Sequence, residues 1–204
     1  VTRNVAAFSE FLDIIARSNG QELNYESFAS DLQISTSTFK NYIQILEDTL
    51  IGFRLPGYTA TSKRKATSRA KHYLFDLGVT RHLANISWIE PRSKAFGDSF
   101  EHFILLEVRA YVSYRRLKVP LSYWRSTSQF EVDILLGNQI AIEVKSTDSP
   151  SGKHLKGLLA LREEKIFARY ILVCTCNQER KTEEGLEIMP WHLFTHRLWQ
   201  GEII

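Results

Sequence analysis

Methionine is almost missing from this 204-residue chain, cysteine nearly so, and no apolar run is long enough to cross a bilayer. With no such span and no signal peptide in view, the expectation is a cytoplasmic protein with no membrane partner. Two cysteines, Cys174 and Cys176, stand two apart in the apolar run Tyr170–Cys176. That spacing makes neither a disulfide framework nor a zinc site, so both are expected to be reduced and buried. No G-x-x-x-x-G-K-[ST] occurs, so the chain has no P-loop for ATP. Charge of one sign is also lacking. A net +3 means that any nucleic-acid surface must be local. The sole methionine is Met189 and the sequence opens on Val1, so it reads as a piece of a longer protein.

What is present is ordinary in composition and long enough for one or two domains with a sizeable core. The most informative stretch runs from Phe130 to Lys145. Two alternating runs, Phe130–Leu136 and Gln139–Lys145, flank a Gly137-Asn138 turn signal and predict a β-hairpin. Period-two alternation puts Phe130, Val132, Ile134 and Leu136 on one face and sets Glu143 beside Lys145 on a face of the second strand. Asp133 joins them only if the loop is odd (Gly137, Asn138, Gln139) or a bulge intervenes; a two-residue turn sends it to the wrong face. Two carboxylates so close repel unless a cation or proton separates them. A hard divalent ion, Mg²⁺ or Mn²⁺, suits such oxygens, and a neighbouring Lys can orient water or stabilise charge on a phosphate. The same charges also fit a solvent-facing strand with favourable cross-strand pairs.

In the N-terminal half, Phe8, Phe11, Leu12, Ile14 and Ile15 predict a helix from about residue 4 to 18. Phe28 and Leu32 fix a short second helix; Phe39, Ile43 and Leu46 fix a third, with Ser35 as its N-cap. This is a helix-turn-helix pattern, and Leu50–Arg54 reads as the start of a winged hairpin. Lys40, Asn41 and Gln44, with Thr36 and Ser37, would face outward where such helices read a major groove. Arg54, Lys63, Arg64, Lys65, Arg69 and Lys71 form a basic run able to meet phosphates. Pro91-Arg92-Ser93 reads as a linker between a domain of residues 1–90 and another of 95–204.

In the second half a long helix, capped around Gly97-Asp98-Ser99, carries Glu101 on an apolar stripe with Leu105, Val108 and Val112. A carboxylate there is costly unless a cation meets it. The order that follows is strand, hairpin, helix (about His154 to Glu164) and strand, an αβββαβ α/β core. His192 and His196 have metal-ligand spacing but lack the Glu of H-E-x-x-H, and they read as surface residues.

Asp133…Glu143-Val144-Lys145 resembles the PD-(D/E)XK nuclease motif, with Val132 where the family name has Pro. The wider chain, through Lys71–Gly78, Gly97–Glu101, Glu131–Asp133 and Ile142–Ser146, resembles a family of unknown function at the C-terminus of predicted AAA-type ATPases. The resemblance implies a winged helix followed by a restriction-endonuclease-like core. It also implies Glu101 as an extra acidic residue, so that Glu101, Asp133 and Glu143 would hold Mg²⁺ or Mn²⁺ and Lys145 would position water. ATP would enter only through an ATPase domain upstream. Nucleic acid, DNA first, is then the expected partner. The alternatives are a binding module for DNA or protein without cleavage, and a helix-turn-helix transcription regulator.

Overall fold

The computed structural model describes residues 5–204. The expected helix start near residue 4 lies outside them. The chain divides into two compact units, one holding the chain up to Leu55 with Arg69–Ile89, the other Pro56–Ser68 with Glu90–Ile204.

In the first unit the elements run α1 (Val5–Arg17), β1 (Gln21–Glu22), α2 (Tyr25–Asp31), α3 (Thr36–Asp48), β2 (Gly52–Leu55), β3 (Lys71–Leu74) and α4 (Leu77–Leu83). Ser35 Oγ accepts the Thr38 N–H at 3.1 Å, the cap that starts α3. The strands pair antiparallel in the order β1-β3-β2. Phe11, Phe39, Ile43 and Leu46, positions expected from helical spacing, bury together with Tyr42 and Leu74 in this unit's core.

The second unit is organised by a six-stranded sheet ordered β4-β5-β6-β7-β9-β8. Its elements are α5 (Lys94–Tyr114), β4 (Leu121–Arg125), β5 (Glu131–Leu136), β6 (Ile140–Lys145), a 3-10 turn (Gly152–Leu155), α6 (Lys156–Arg162), β7 (Arg169–Cys174), β8 (Arg180–Lys181), β9 (Glu187–Pro190) and α7 (Trp191–Gln200). β4 to β6 run antiparallel, and β7 continues parallel to β6 through α6. Every residue of β7 after Arg169 is buried, so both faces of the sheet are covered. α6 packs on β5, β6 and β7, while α5 packs on β6 and α7 on β7 and β9. Among the described residues no helix is long and apolar enough to cross a membrane.

Three features depart from the reading of the sequence. α5 starts at Lys94, a turn before the expected Gly97-Asp98-Ser99 cap, because Ser93 Oγ accepts the Phe96 N–H at 3.1 Å. The short β9, ending in Pro190, was not expected. The third is the segment Pro56–Ser68, read as part of a wing in a 1–90 domain. It belongs to the second unit, where Gly57 bridges Tyr123 and Ala66 bridges Ser126. β4 is otherwise the open edge of the sheet, and an edge strand gains by having its backbone groups covered. Residue 90 is therefore not the sole point where the chain passes between units.

Candidate active site

The site is built on the hairpin of β5 and β6. Leu136 pairs with Ile140 and Ile134 with Ile142, leaving a three-residue loop, Gly137-Asn138-Gln139. Gly137 takes φ +52°, a left-handed turn that favours glycine, and the Gln139 N–H closes back on the Leu136 carbonyl at 3.0 Å. Carried one step further, this register sets Asp133 opposite Glu143, so the odd loop is the one that brings the carboxylates together.

A bulge adds to this. Between β4 and β5, Ser122 pairs with Leu135 but Trp124 with Val132, so β5 spends an extra residue there. Val132 and Leu135 consequently both enter the core cluster of Leu158 and Leu161, which strict alternation forbids. The expectation that Val132 shares a face with Ile134 and Leu136 fails for this reason.

The resulting cluster is tight. Asp133 is 3% exposed and Glu143 5%. Lys145 Nζ lies 2.5 Å from Glu143 Oε1 and 3.5 Å from Asp133 Oδ2. Asp133 Oδ2 also accepts the buried Val144 N–H at 2.8 Å, which locks the carboxylate across the strand. Glu143 Oε2 is buried and has no hydrogen-bond partner. Burial, then the charge of Asp133, push the Glu143 pKa well up, against the pull of Lys145. For Lys145 burial would lower the pKa, but the charges of Asp133 and Glu143 outweigh it and raise it. The ammonium therefore stays charged at neutral pH.

Glu101 sits at the margin. It is one turn beyond Gly97 on α5, and a Cβ at Gly97 would lie 3.3 Å from Ser146 Oγ, so this stripe of α5 faces the end of β6. Its charge raises the pKa of both Glu143 and Lys145. Among the described residues no three His, Cys, Asp or Glu side chains stand as a ready metal cluster. The structure thus joins Asp133, Glu143 and Lys145 and keeps Glu101 near them electrostatically. An unpartnered buried carboxylate oxygen beside a second buried carboxylate offers donors of the kind a hard divalent cation takes. Asp133 and Glu143 are the residues that would hold one; Glu101 stays at the margin and is not gathered with them into the expected three-carboxylate set.

The second core helix closes the site from the α6 side. A Cβ on Gly157 would overlap the Glu131 carbonyl oxygen and lie 3.5 Å from Glu143 Oε2, so only glycine lets α6 approach here. Sequence reading of this turn stops at Lys153 and Lys156, both exposed. It passes over His154, whose signal is the Ser151-x-x-His154 spacing at a helix start.

The residues expected to meet nucleic acid separate into two groups. Lys40, Asn41 and Gln44 are exposed on α3, with Gln44 Nε2 donating to Asp48 Oδ1 at 2.7 Å. Arg54 on β2 is engaged by Glu47, with Nη2 to Oε2 at 2.8 Å. Lys63 and Lys65 are exposed in the second unit. Arg64 is a structural tie instead: its guanidinium donates to the Ala160 carbonyl at 3.0 Å and to Glu163 at 2.9 Å and lies over the Phe130 ring. Cys174 and Cys176 are buried with Sγ atoms 2.6 Å apart, while His192 and His196 are exposed on α7.

Residues 1–90 match a family described as a domain of unknown function (DUF8612), and residues 96–194 match another, domain of unknown function (DUF4143). The chain is 27% identical over 143 residues to "Uncharacterized protein Rv2008c" of Mycobacterium tuberculosis and equally to "Uncharacterized protein Mb2031c" of Mycobacterium bovis. Each alignment covers 68% of this chain and 32% of the relative, so the chain spans about a third of the length of the curated relatives it matches. No solved structure matches it.

Proposed function

We propose that this chain carries a cation-dependent phosphodiesterase centre acting on nucleic acid, within a PD-(D/E)XK-like αβββαβ core preceded by a winged-helix-like unit. The observation that carries the reading is the buried Asp133–Glu143 pair with Lys145 between them and Glu143 Oε2 left without a partner. Buried oxygens of a structural ion pair are usually satisfied, so an unpartnered one beside a second buried carboxylate supports a ligand site.

Glu143 and Asp133, with Glu101 near them, would hold Mg²⁺ or Mn²⁺. Such an ion supplies Lewis acidity toward a phosphoryl oxygen and lowers the pKa of its water. Lys145 stays charged, so it can hold the attacking water in line and steady the charge that develops on the phosphate. The Val144 N–H fixes Asp133, and Gly157 lets α6 shield one side of the pair.

DNA contact by the first unit rests on the exposed face of α3, Lys40, Asn41 and Gln44. Domains of the kind matched by residues 96–194 occur at the C-terminus of AAA-ATPase-like proteins. In this reading ATP acts through such a domain in the longer protein. A second reading is a binding module for DNA or protein that does not cleave. It is favoured by one observation, that Lys145 already bridges both carboxylates. Plasmid and oligonucleotide cleavage in Mg²⁺ or Mn²⁺, wild type against Asp133→Ala, separates them. Loss of cleavage in the variant supports the enzyme; binding without cleavage in both supports the module.

A further inference from the structure

α6 links the parallel strands β6 and β7, so it runs back against them and its start lies over the C-terminal end of β6. Gly157 fixes its depth there, against the Glu131 carbonyl and beside Glu143 Oε2. His154 stands three residues earlier, on the same stripe one turn nearer the end of β6. Lys145 is the last residue of that strand, and its charge, after burial and Lys153, is among the causes that hold the His154 pKa below the usual imidazole value.

The ring of His154 is oriented. Ser151 N–H donates to its Nδ1 at 3.0 Å, closing the cap of the 3-10 turn. A nitrogen that accepts carries no proton, so the neutral ring has its proton on Nε2. No hydrogen bond among the described residues uses that Nε2–H. A neutral donor with a fixed tautomer is therefore held partly exposed one turn before Gly157, the residue that lies beside Glu143 Oε2, and is flanked in sequence by two exposed lysines, Lys153 and Lys156.

We propose that His154 touches substrate: its Nε2–H donates to a non-bridging phosphate oxygen of the nucleic-acid strand engaged by Asp133, Glu143 and Lys145. The inference rests on the phosphodiesterase reading and adds to it a residue that grips the phosphate without adding charge. The Nδ1 side is already committed to the cap, so structure and substrate binding use different atoms of one ring and can be separated by substitution.

His154→Asn keeps an acceptor near the Nδ1 position for Ser151 and removes the tip donor. His154→Gln places an amide N–H near the Nε2 position and gives up the cap. Affinity for a labelled DNA oligonucleotide, cleavage in Mg²⁺ or Mn²⁺, and melting temperature are measured on wild type and both variants. The expected result is a wild-type melting temperature but about tenfold weaker binding and higher KM for the Asn variant, with Gln restoring most of the affinity at a lower melting temperature. An Asn variant that binds as wild type, affinity losses that track melting temperature alone, or a wild type with no affinity for the oligonucleotide would overturn the assignment. If wild type binds but does not cleave, the phosphodiesterase reading falls and the binding comparison still decides His154. If wild type cleaves and the Asn variant matches it, the His154 assignment alone falls.

Discussion

At the scale of single residues, Lys145 and Gly157 carry the account. With Lys145→Met, Asp133 and Glu143 lose the group that neutralises them, which should destabilise the second unit by about 1–3 kcal/mol. The lower end is expected because the Lys145 side chain is 37% exposed. Urea melts check this. Gly157→Ala puts a methyl into the Glu131 carbonyl; overpacking of this kind costs about 1–3 kcal/mol and should push α6 off Glu143, so cleavage should fall with stability. A Gly157→Ala protein as stable as wild type would contradict the close approach of α6 to β5. His72 gives a pH-dependent counterpart in the first unit. Burial, then the charge of Arg54, lower its pKa from 6.5 to about 4, and its Nε2 lies 2.8 Å from Tyr25 Oη. The unfolded chain then binds a proton before the folded one does. Stability is full above about 6.5 and falls as pH drops toward 4, by about 3 kcal/mol at most. Urea titrations at pH 7 and pH 4.5 should show that loss in wild type and a smaller one in His72→Gln; equal losses would rule it out.

At the scale of elements, the hairpin was legible because its two signals agree. Alternation set Glu143 and Lys145 on one face of β6, and Gly137 admits the left-handed turn that makes the loop odd. The bulge in β5 was not legible, since it is defined by pairing with β4 and leaves no local mark on Glu131–Leu136. β9 escaped for a related reason: four residues ending in proline look like a loop until β7 pairs with them. The basic run between β2 and β3 was read by composition as a wing, but the carboxylate of Glu164 accepts the backbone N–H groups of Ser62, Lys63 and Arg64 and ties the segment to the sheet unit. Its cations are therefore not equivalent. Lys63→Ala with Lys65→Ala should lower the salt slope of DNA binding by about one for each phosphate that a lysine no longer neutralises. Arg64→Ala should lower the melting temperature and leave that slope unchanged. Binding isotherms across a salt series, beside thermal melts, test both; a slope set by Arg64 alone would reverse the assignment.

At the scale of the molecule, two units with separate cores share a chain that passes between them more than once. A fragment of residues 90–204 lacks Pro56–Ser68, so the β4 edge and Glu164 lose their cover. It should associate through that edge in size-exclusion chromatography, where the whole chain does not; a well-behaved monomeric fragment would contradict the role given to the segment. The central claim concerns what the buried carboxylate pair is for, and metal-dependent melting of the Lys145→Met protein tests it most directly. If Asp133 and Glu143 form a cation site, the ion binds the folded state without Lys145, and millimolar Mg²⁺ or Mn²⁺ should raise the melting temperature by mass action while any cleavage seen in wild type drops by orders of magnitude. If the cluster is only an ion pair, the variant stays destabilised whatever the metal concentration, and no Mg²⁺- or Mn²⁺-dependent shift in either protein would contradict the account.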